Sequence, residues 1–388
     1  MIDPAGSYSV KVHPSLHEIP AADWDALAGI DHPFTRHAYL VALEDTGCAT
    51  ARTGWAPAHI GVYDALGQLC AALPLYLKSH SYGEYVFDHA WAEAYERAGG
   101  RYYPKLQASV PFTPVTGPRL MARDPVARKA LLEAALGLLP RTRASSLHLT
   151  FPTHEDWQWL GEHGFLLRQD RQFWWQNAGY TDFEAFLAAL SSGRRKTIRR
   201  ERREAQSAVE IVVREGADLS AAEWDAFYHF YLDTGARKWG QPYLNRAFFD
   251  QISRTLADQI VMMLAQRDGD WVAGAINFKS SDTLYGRQWG AIETIPFLHF
   301  ELCYYQAIDY AIKHGLERVE AGAQGEHKLA RGYLPRDVYS AHYIADPALR
   351  APVARYLDQE RQAVRADNNW LESEYSPFKV PPVAETPL

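Results

Sequence analysis

Cysteine is scarce in this chain. Cys48, Cys70 and Cys303 are the whole complement in 388 residues. Three cysteines cannot build a disulfide framework, and so low a count fits a reducing compartment. Long apolar runs are missing as well, so no membrane span is expected. Residues 1–20 lack the apolar core of a signal peptide. The expectation is a soluble cytoplasmic protein, bacterial in type. Neither His-Glu-x-x-His nor Cys-x-x-Cys occurs among the 15 histidines and three cysteines, so the sequence offers no zinc site. An excess of positive charge is also absent. The formal net charge is −7, and no overall field draws in nucleic acid.

What is present is an ordinary globular composition, 47% hydrophobic and 22% charged, with 12 Trp and 22 Tyr. Aromatics with a polar tip suit clefts that hold partly polar ligands. The chain also nearly repeats itself. Ala21-Ala22-Asp23-Trp24-Asp25-Ala26-Leu27 returns as Ala221-Ala222-Glu223-Trp224-Asp225-Ala226-Phe227, an offset of 200. His163-Gly164-Phe165-Leu166 returns as Arg331-Gly332-Tyr333-Leu334, an offset of 168. Solenoid repeats recur every few tens of residues, so a period this long implies a duplicated domain. The expected division is 1–178 and 179–388, with a ligand cleft between the copies.

Both halves follow one pattern. In the first, helices are predicted at 21–27 and 35–44, a hairpin at 59–63 and 69–77, and helices at 90–98 and 126–139. A strand at 147–151, a helix at 157–163 and an alternating stretch at 165–175 follow. The second has helices at 221–232 and 246–256, a hairpin at 260–265 and 271–278, and a strand at 284–289. A long helix at 301–314, strands at 319–321 and 339–344, and a helix at 347–366 complete it. The glycines at 99, 100, 164 and 315 stop helices, and the three prolines within 111–119 exclude a helix there. Alternating periods of this kind give an α/β fold with a mixed sheet flanked by helices.

Several motifs carry a resemblance: Asp88-His89-Ala90-Trp91, Tyr102-Tyr103-Pro104-Lys105-Leu106, the segment 111–119, Gly322-Ala323-Gln324-Gly325-Glu326-His327-Lys328, the segment 331–335 and Ser376-Pro377-Phe378. Together, and in this order, they resemble the FemABX group, and within it the FemAB-like predicted N-acyltransferases. That resemblance implies two tandem GNAT-like domains and transfer of an acyl group to an amine. It implies a peptide or small-molecule amine as acceptor. The donor is a co-substrate, aminoacyl-tRNA or acyl-CoA, with no tightly bound cofactor and with tRNA as a partner in the first case. The oligomeric state stays open. Two features depart from the relatives. The long helical hairpin inserted in the second domain is missing. Arg287-Gln288-Trp289-Gly290 supplies one glycine where acetyl-CoA users carry a glycine run that cradles a pyrophosphate.

Acyl transfer to nitrogen needs a neutral amine, donors for an oxyanion and aligned substrates. Glu326, His327, Lys328 and Arg331 bring every charge type into one loop and are the catalytic candidates. Glu326 or His327 would take the proton, and Lys328 or Arg331 would face the oxyanion. A solvated polar connection is the alternative. Candidates for substrate contact are Asp88, His89, Trp91, Tyr103, Lys105, Thr113, Thr116, Arg287, Trp289 and Glu301. Asp88 and His89 read equally as an oriented base pair and as a helix N-cap. Lys105 and Arg119 are candidates for an anion, or are surface cations. The basic run 194–204 places Arg195, Arg199 and Arg202 on one helical face. That face suits RNA phosphates, or is a solvated helix with Arg–Glu pairs. Cys303 is a buried thiol rather than a nucleophile on this reading.

Overall fold

The computed structural model describes residues 8–238, 242–322 and 325–379, apart from the side chains of 236–238 and 326. The described residues fall into two compact units, 8–170 with 338–364, and 171–337 with 365–379. The chain leaves the first unit within the strand Leu166–Gln176 and returns to it within the strand Leu334–Ile344.

In the first unit the hairpin His59–Tyr63 and Leu69–Leu73 forms as expected, joined by Ser9–His13 and Met121–Ala122. The apolar run does not continue as one strand. Pro74 ends the ladder, and the chain enters a second set of strands as Leu75–Lys78. This strand pairs with Trp55–Pro57 and Lys105–Ala108. Lys105–Ala108 runs parallel to Ser146–Thr150, which pairs in turn with residues 340–344.

Side chains alternate across these strands. One face carries Leu75, Leu106, Ala108, Leu147, Leu149 and Ala341, packed with Leu131, Leu132, Leu138 and Leu139 of the helix Pro125–Thr142. Each leucine buried there contributes about 1.5–3 kcal/mol. Asp124 starts this helix by accepting from the Val126 and Ala127 N–H groups, with Pro125 at the first helical position. The opposite face carries Tyr76, Lys78, Lys105, Gln107, His148, Ser340 and His342, all nearly inaccessible to solvent.

The second unit is built from Glu210–Glu215, Ile260–Arg267, Asp270–Lys279 and Thr283–Ala291, successively antiparallel. The strand Arg318–Glu320 adds in parallel and pairs with residues 174–176. Its core gathers Val261, Met263, Leu284, Leu302, Ile308, Val319 and Trp175. Three elements run longer than the sequence pattern suggests. The helix Ala221–Lys238 extends past 232, Pro347–Tyr375 past 366, and the strand Leu334–Ile344 starts before 339.

The two echoes have structural counterparts. Trp24 and Trp224 are each buried on a helix that precedes a hairpin. Gly164 and Gly332 adopt left-handed φ values of 86° and 92°. The Phe165 N–H reaches the Leu160 carbonyl at 3.1 Å and the Tyr333 N–H reaches the Lys328 carbonyl at 3.2 Å. These bonds have the same spacing and end a helical turn in the same way, with glycine where left-handed backbone is needed.

No helix among the described residues is long and apolar enough to cross a membrane.

Candidate active site in the second unit

The strands Asp270–Lys279 and Thr283–Ala291 are out of step at one point. Ile276 faces Gln288 while Asn277 faces Gly286, so Arg287 is the extra residue of a β-bulge. A bulge re-aims its side chain and interrupts the ladder. A cavity of about 100 Å³ opens here, lined by Asn277, Arg287, Trp289, His299, Cys303 and Tyr304 among others. Arg287 and Trp289 are thus brought together in one cavity wall. Gly290 has another role than a phosphate loop. It lies within the strand, and a Cβ there would stand 2.2 Å from the Phe230 carbonyl oxygen. The helix Ala221–Lys238 packs directly on the strand at that point.

The long helix expected at 301–314 starts at Leu298 and contains a π-turn, Glu301–Tyr305, before continuing as Gln306–Lys313. The extra residue in this turn changes which side chains share a face. Cys303 and Tyr304 line the cavity. Glu301 is fully buried and accepts from Arg202, Gln206 and Gln306. Its carboxylate is therefore committed inside the unit.

The catalytic candidates occupy the short helix Glu326–Arg331. The Glu326 side chain, with residues 323 and 324, lies outside the described residues. Gly325 has φ 102°, and the His327 ring folds over it so closely that a Cβ would meet Cε1 at 2.3 Å. His327 Nε2 lies 3.1 Å from the Tyr304 hydroxyl. Burial, then the charges of Arg331 and Lys328, push the His327 imidazole below its usual range, which favours the neutral, proton-accepting form.

Lys328 is 4% exposed and donates to the carbonyls of Ala321 at 2.6 Å and Gly322 at 3.1 Å. Burial lowers its pKa to about 8, with the Cys303 thiol opposing. Arg331 points inward. Its Nη2 is 2.9 Å from both Glu201 oxygens, its Nη1 donates to the His327 carbonyl at 2.7 Å, and it stacks 3.4 Å over the Phe300 ring. Its geometry makes it a support for the His327 backbone.

The candidates in the first unit gather around Lys105. This lysine is inaccessible and donates to Ser81 and Glu84, each at 2.7 Å, and to Asp88. The Tyr102 hydroxyl donates to Asp88 at 2.7 Å. Burial opposes ionisation of Asp88, but Lys105 outweighs it and holds the carboxyl well below its usual range. Burial raises Glu84 to about 7, with Lys105 opposing, and lowers the neighbouring Lys78 to about 7.

Both readings of the Asp88–His89 pair fail. Asp88 makes no side-chain cap bond, and its carboxylate turns into the Lys105 cluster while His89 is exposed beside Tyr82. Trp91 packs edge-on to His342, and the Tyr103 hydroxyl lies 2.8 Å from Ser81 Oγ. Thr113 is buried between the Pro111 carbonyl and the Tyr39 hydroxyl. Thr116 is half-buried, and its carbonyl faces His32. Arg119 is no surface cation. It is fully buried and donates to the carbonyls of Val115, Pro118 and Thr150.

The basic run forms the helix Ser192–Ala208. Arg195 reaches the Ala188 carbonyl at 3.5 Å and Arg199 pairs with exposed Glu184. Arg202 faces inward to Glu301. Two acids escaped the sequence reading. Glu201 sits among seven cations and gives no sign that it alone is buried. Glu320 is 4% exposed, and burial raises it to about 7 with Arg318 opposing. The only sign of Glu320 was a charge next to Val319 in a predicted strand.

The chain matches the model of the FemAB-like family, described as peptidoglycan biosynthesis/recognition, over residues 15–380. No curated protein matches it in sequence. Among solved structures it is similar to FemX, at 12% identity and TM-score 0.54, over 87% of this chain and 98% of that one. It is also similar to the C-terminal domain (DUF2156) of a putative lysylphosphatidylglycerol synthetase from Agrobacterium fabrum, at 10% identity and TM-score 0.55, over 89% and 97%. A tandem GNAT protein from the clavulanic acid pathway aligns at 11% identity and TM-score 0.46, over 88% and 99%. At these identities the likeness speaks to the fold. The mixed α/β fold is the one the sequence suggested, and FemX shares it.

Proposed function

Because this chain belongs to the FemAB-like family, we propose that it is an N-acyltransferase moving an acyl or aminoacyl group onto an amine of a peptide or cell-wall-like precursor. The observation that carries this reading is an exposed imidazole, His327, 3.1 Å from the Tyr304 hydroxyl and held below its usual pKa, next in sequence to the buried Lys328, lowered to about 8, with Tyr304 in the wall of a cavity that the bulged Arg287 strand completes.

The chemistry needs few parts. The amine nitrogen attacks the donor carbonyl, and His327 takes the proton that the nitrogen sheds. Negative charge develops on the carbonyl oxygen. We assign its stabilisation to Lys328 and Arg287, since a buried cation acts strongly where water is excluded. Collapse of the intermediate expels the ribose oxygen of an aminoacyl-tRNA or the thiolate of an acyl thioester, which recovers the proton. Tyr304 orients the imidazole, and Arg331 and Glu301 act as positioning residues. Both donor classes are cytoplasmic metabolites, which supports a cytoplasmic setting.

The test is transfer of label from aminoacyl-tRNA, and separately from acetyl-CoA, to a panel of amines and muropeptide precursors. Label in an alkali-stable amide from the first donor supports the reading. Acetylation of small amines alone replaces it with an acetyltransferase. Ligand binding without turnover from either donor makes the chain a recognition protein.

A further inference from the structure

We propose that the helix Ser192–Ala208 is the positioning element of the cavity, with its adjacent residues Glu201 and Arg202 gripping the last and first residues of the π-turn. The inference rests on the reading of that cavity as the active site, and it assigns the basic helix a role apart from nucleic acid.

Arg202 holds the start of the turn. Its Nε lies 3.3 and 3.2 Å from the two Glu301 oxygens and its Nη2 lies 3.2 Å from one of them. Gln206, one turn further along the same helix, donates to Glu301 at 2.8 Å. The guanidinium also lies 4.1 Å over the Phe183 ring and 3.5 Å from Asp309. A carboxylate with no exposure keeps its charge only with such partners.

Glu201 holds the end of the turn. It accepts from the Tyr305 hydroxyl and, through both oxygens, from Arg331. Arg331 in turn holds the His327 carbonyl. The two grips therefore fix both members of the Tyr304–His327 contact, one through the turn and one through the short helix.

A π-turn is less favourable than a regular α-turn and persists where its surroundings hold it. Reverting it would shift one residue of register and swing the side chains at one end by about 100°. Cys303 and Tyr304 would then leave the cavity wall. Neither Glu201 nor Arg202 lines the cavity, so both act through other residues.

The test uses Arg202→Met and the charge-conserving Arg202→Lys in the full chain with Cys48 and Cys70 replaced by serine. Two probes need no turnover: the alkylation rate of Cys303 by iodoacetamide, and the NMR titration midpoint of His327. We expect at least a tenfold change in alkylation and a shift of half a pH unit or more in Arg202→Met, with a smaller change in Arg202→Lys. If Arg202→Met does not fold, Arg202→Lys decides by the same probes, with a threefold change as the threshold. Probes that stay within twofold and a tenth of a pH unit in a folded variant overturn the proposal. Probes that move in a chain with no acyl transfer from any donor would leave the grip standing and remove the enzymatic reading.

Discussion

His148 and His342 face each other on neighbouring strands with 2.6 Å between their Nδ1 atoms. Each ring turns its Nε2 to a serine, Ser146 at 2.7 Å and Ser340 at 2.9 Å. One ring must donate and the other accept, so the two cannot both be charged, and burial disfavours the charge on either. Burial lowers His148 to about 3 and takes His342 well below its ordinary value. Unfolded, both titrate near 6.5. Below that pH the unfolded chain binds more protons than the folded one, so stability falls as pH falls. Two such groups give a slope of about 2.7 kcal/mol per pH unit. Urea unfolding of the protein from pH 7.5 to pH 5 is expected to show this loss, and a flat profile would contradict it.

Lys105 is the charge that lets Glu84 and Asp88 lie inside the first unit. Lys105→Met leaves Asp88 without its cation and Glu84 with Lys78 alone, 3.8 Å away, and is expected to cost about 3–5 kcal/mol at pH 7.5. The deficit should shrink towards pH 5 as Glu84 takes up a proton. Paired denaturation curves at the two pH values read this directly.

Lys328→Met is expected to reduce acyl transfer by about 10²–10³-fold if the ammonium faces the oxyanion. Its Tm should move by less than about 4 °C, since an apolar chain of similar length fills the same space. If Lys328 acts in this way, the acyl transfer of the unmutated protein should lose kcat above about pH 8 as Lys328 releases its proton. The residual activity of the variant should lack that alkaline limb.

His327→Gln removes the proposed proton acceptor and keeps a polar contact for Tyr304. A loss of about 10²–10⁴-fold in kcat is expected. The acid limb of the unmutated pH profile should lie below 6.5, since the His327 imidazole is held under its usual value. An acid limb above 6.5, or one that survives in the variant, assigns the base elsewhere.

Gly290→Ala brings a methyl group against the Phe230 backbone, which cannot swing aside as a side chain would. A loss of about 2 kcal/mol is expected. Gly193→Ala, on a helix with open space around it, should instead stabilise by about 0.5–1 kcal/mol. The two urea midpoints should move in opposite directions.

Local pattern and motif order were enough to read the alternation of helices and strands and the family. The helix stop at Gly164 was legible, since glycine adopts left-handed backbone without strain. So was the hairpin at 59–73, though Pro74 ended it early. The sequence reading places one boundary at 178/179. Residues 338–364 pack with the first unit through long-range strand pairing, which leaves no mark in their own spacing. The same limit governed the site. Arg202 and Arg119 carry charge that composition assigns to the surface, and only packing turned one to Glu301 and the other to three carbonyls. The π-turn that lets Cys303 join Arg287 and Tyr304 depends on Glu201 and Arg202, about a hundred residues away. A buried charge is stable only beside its partner, and the partner is chosen by the fold.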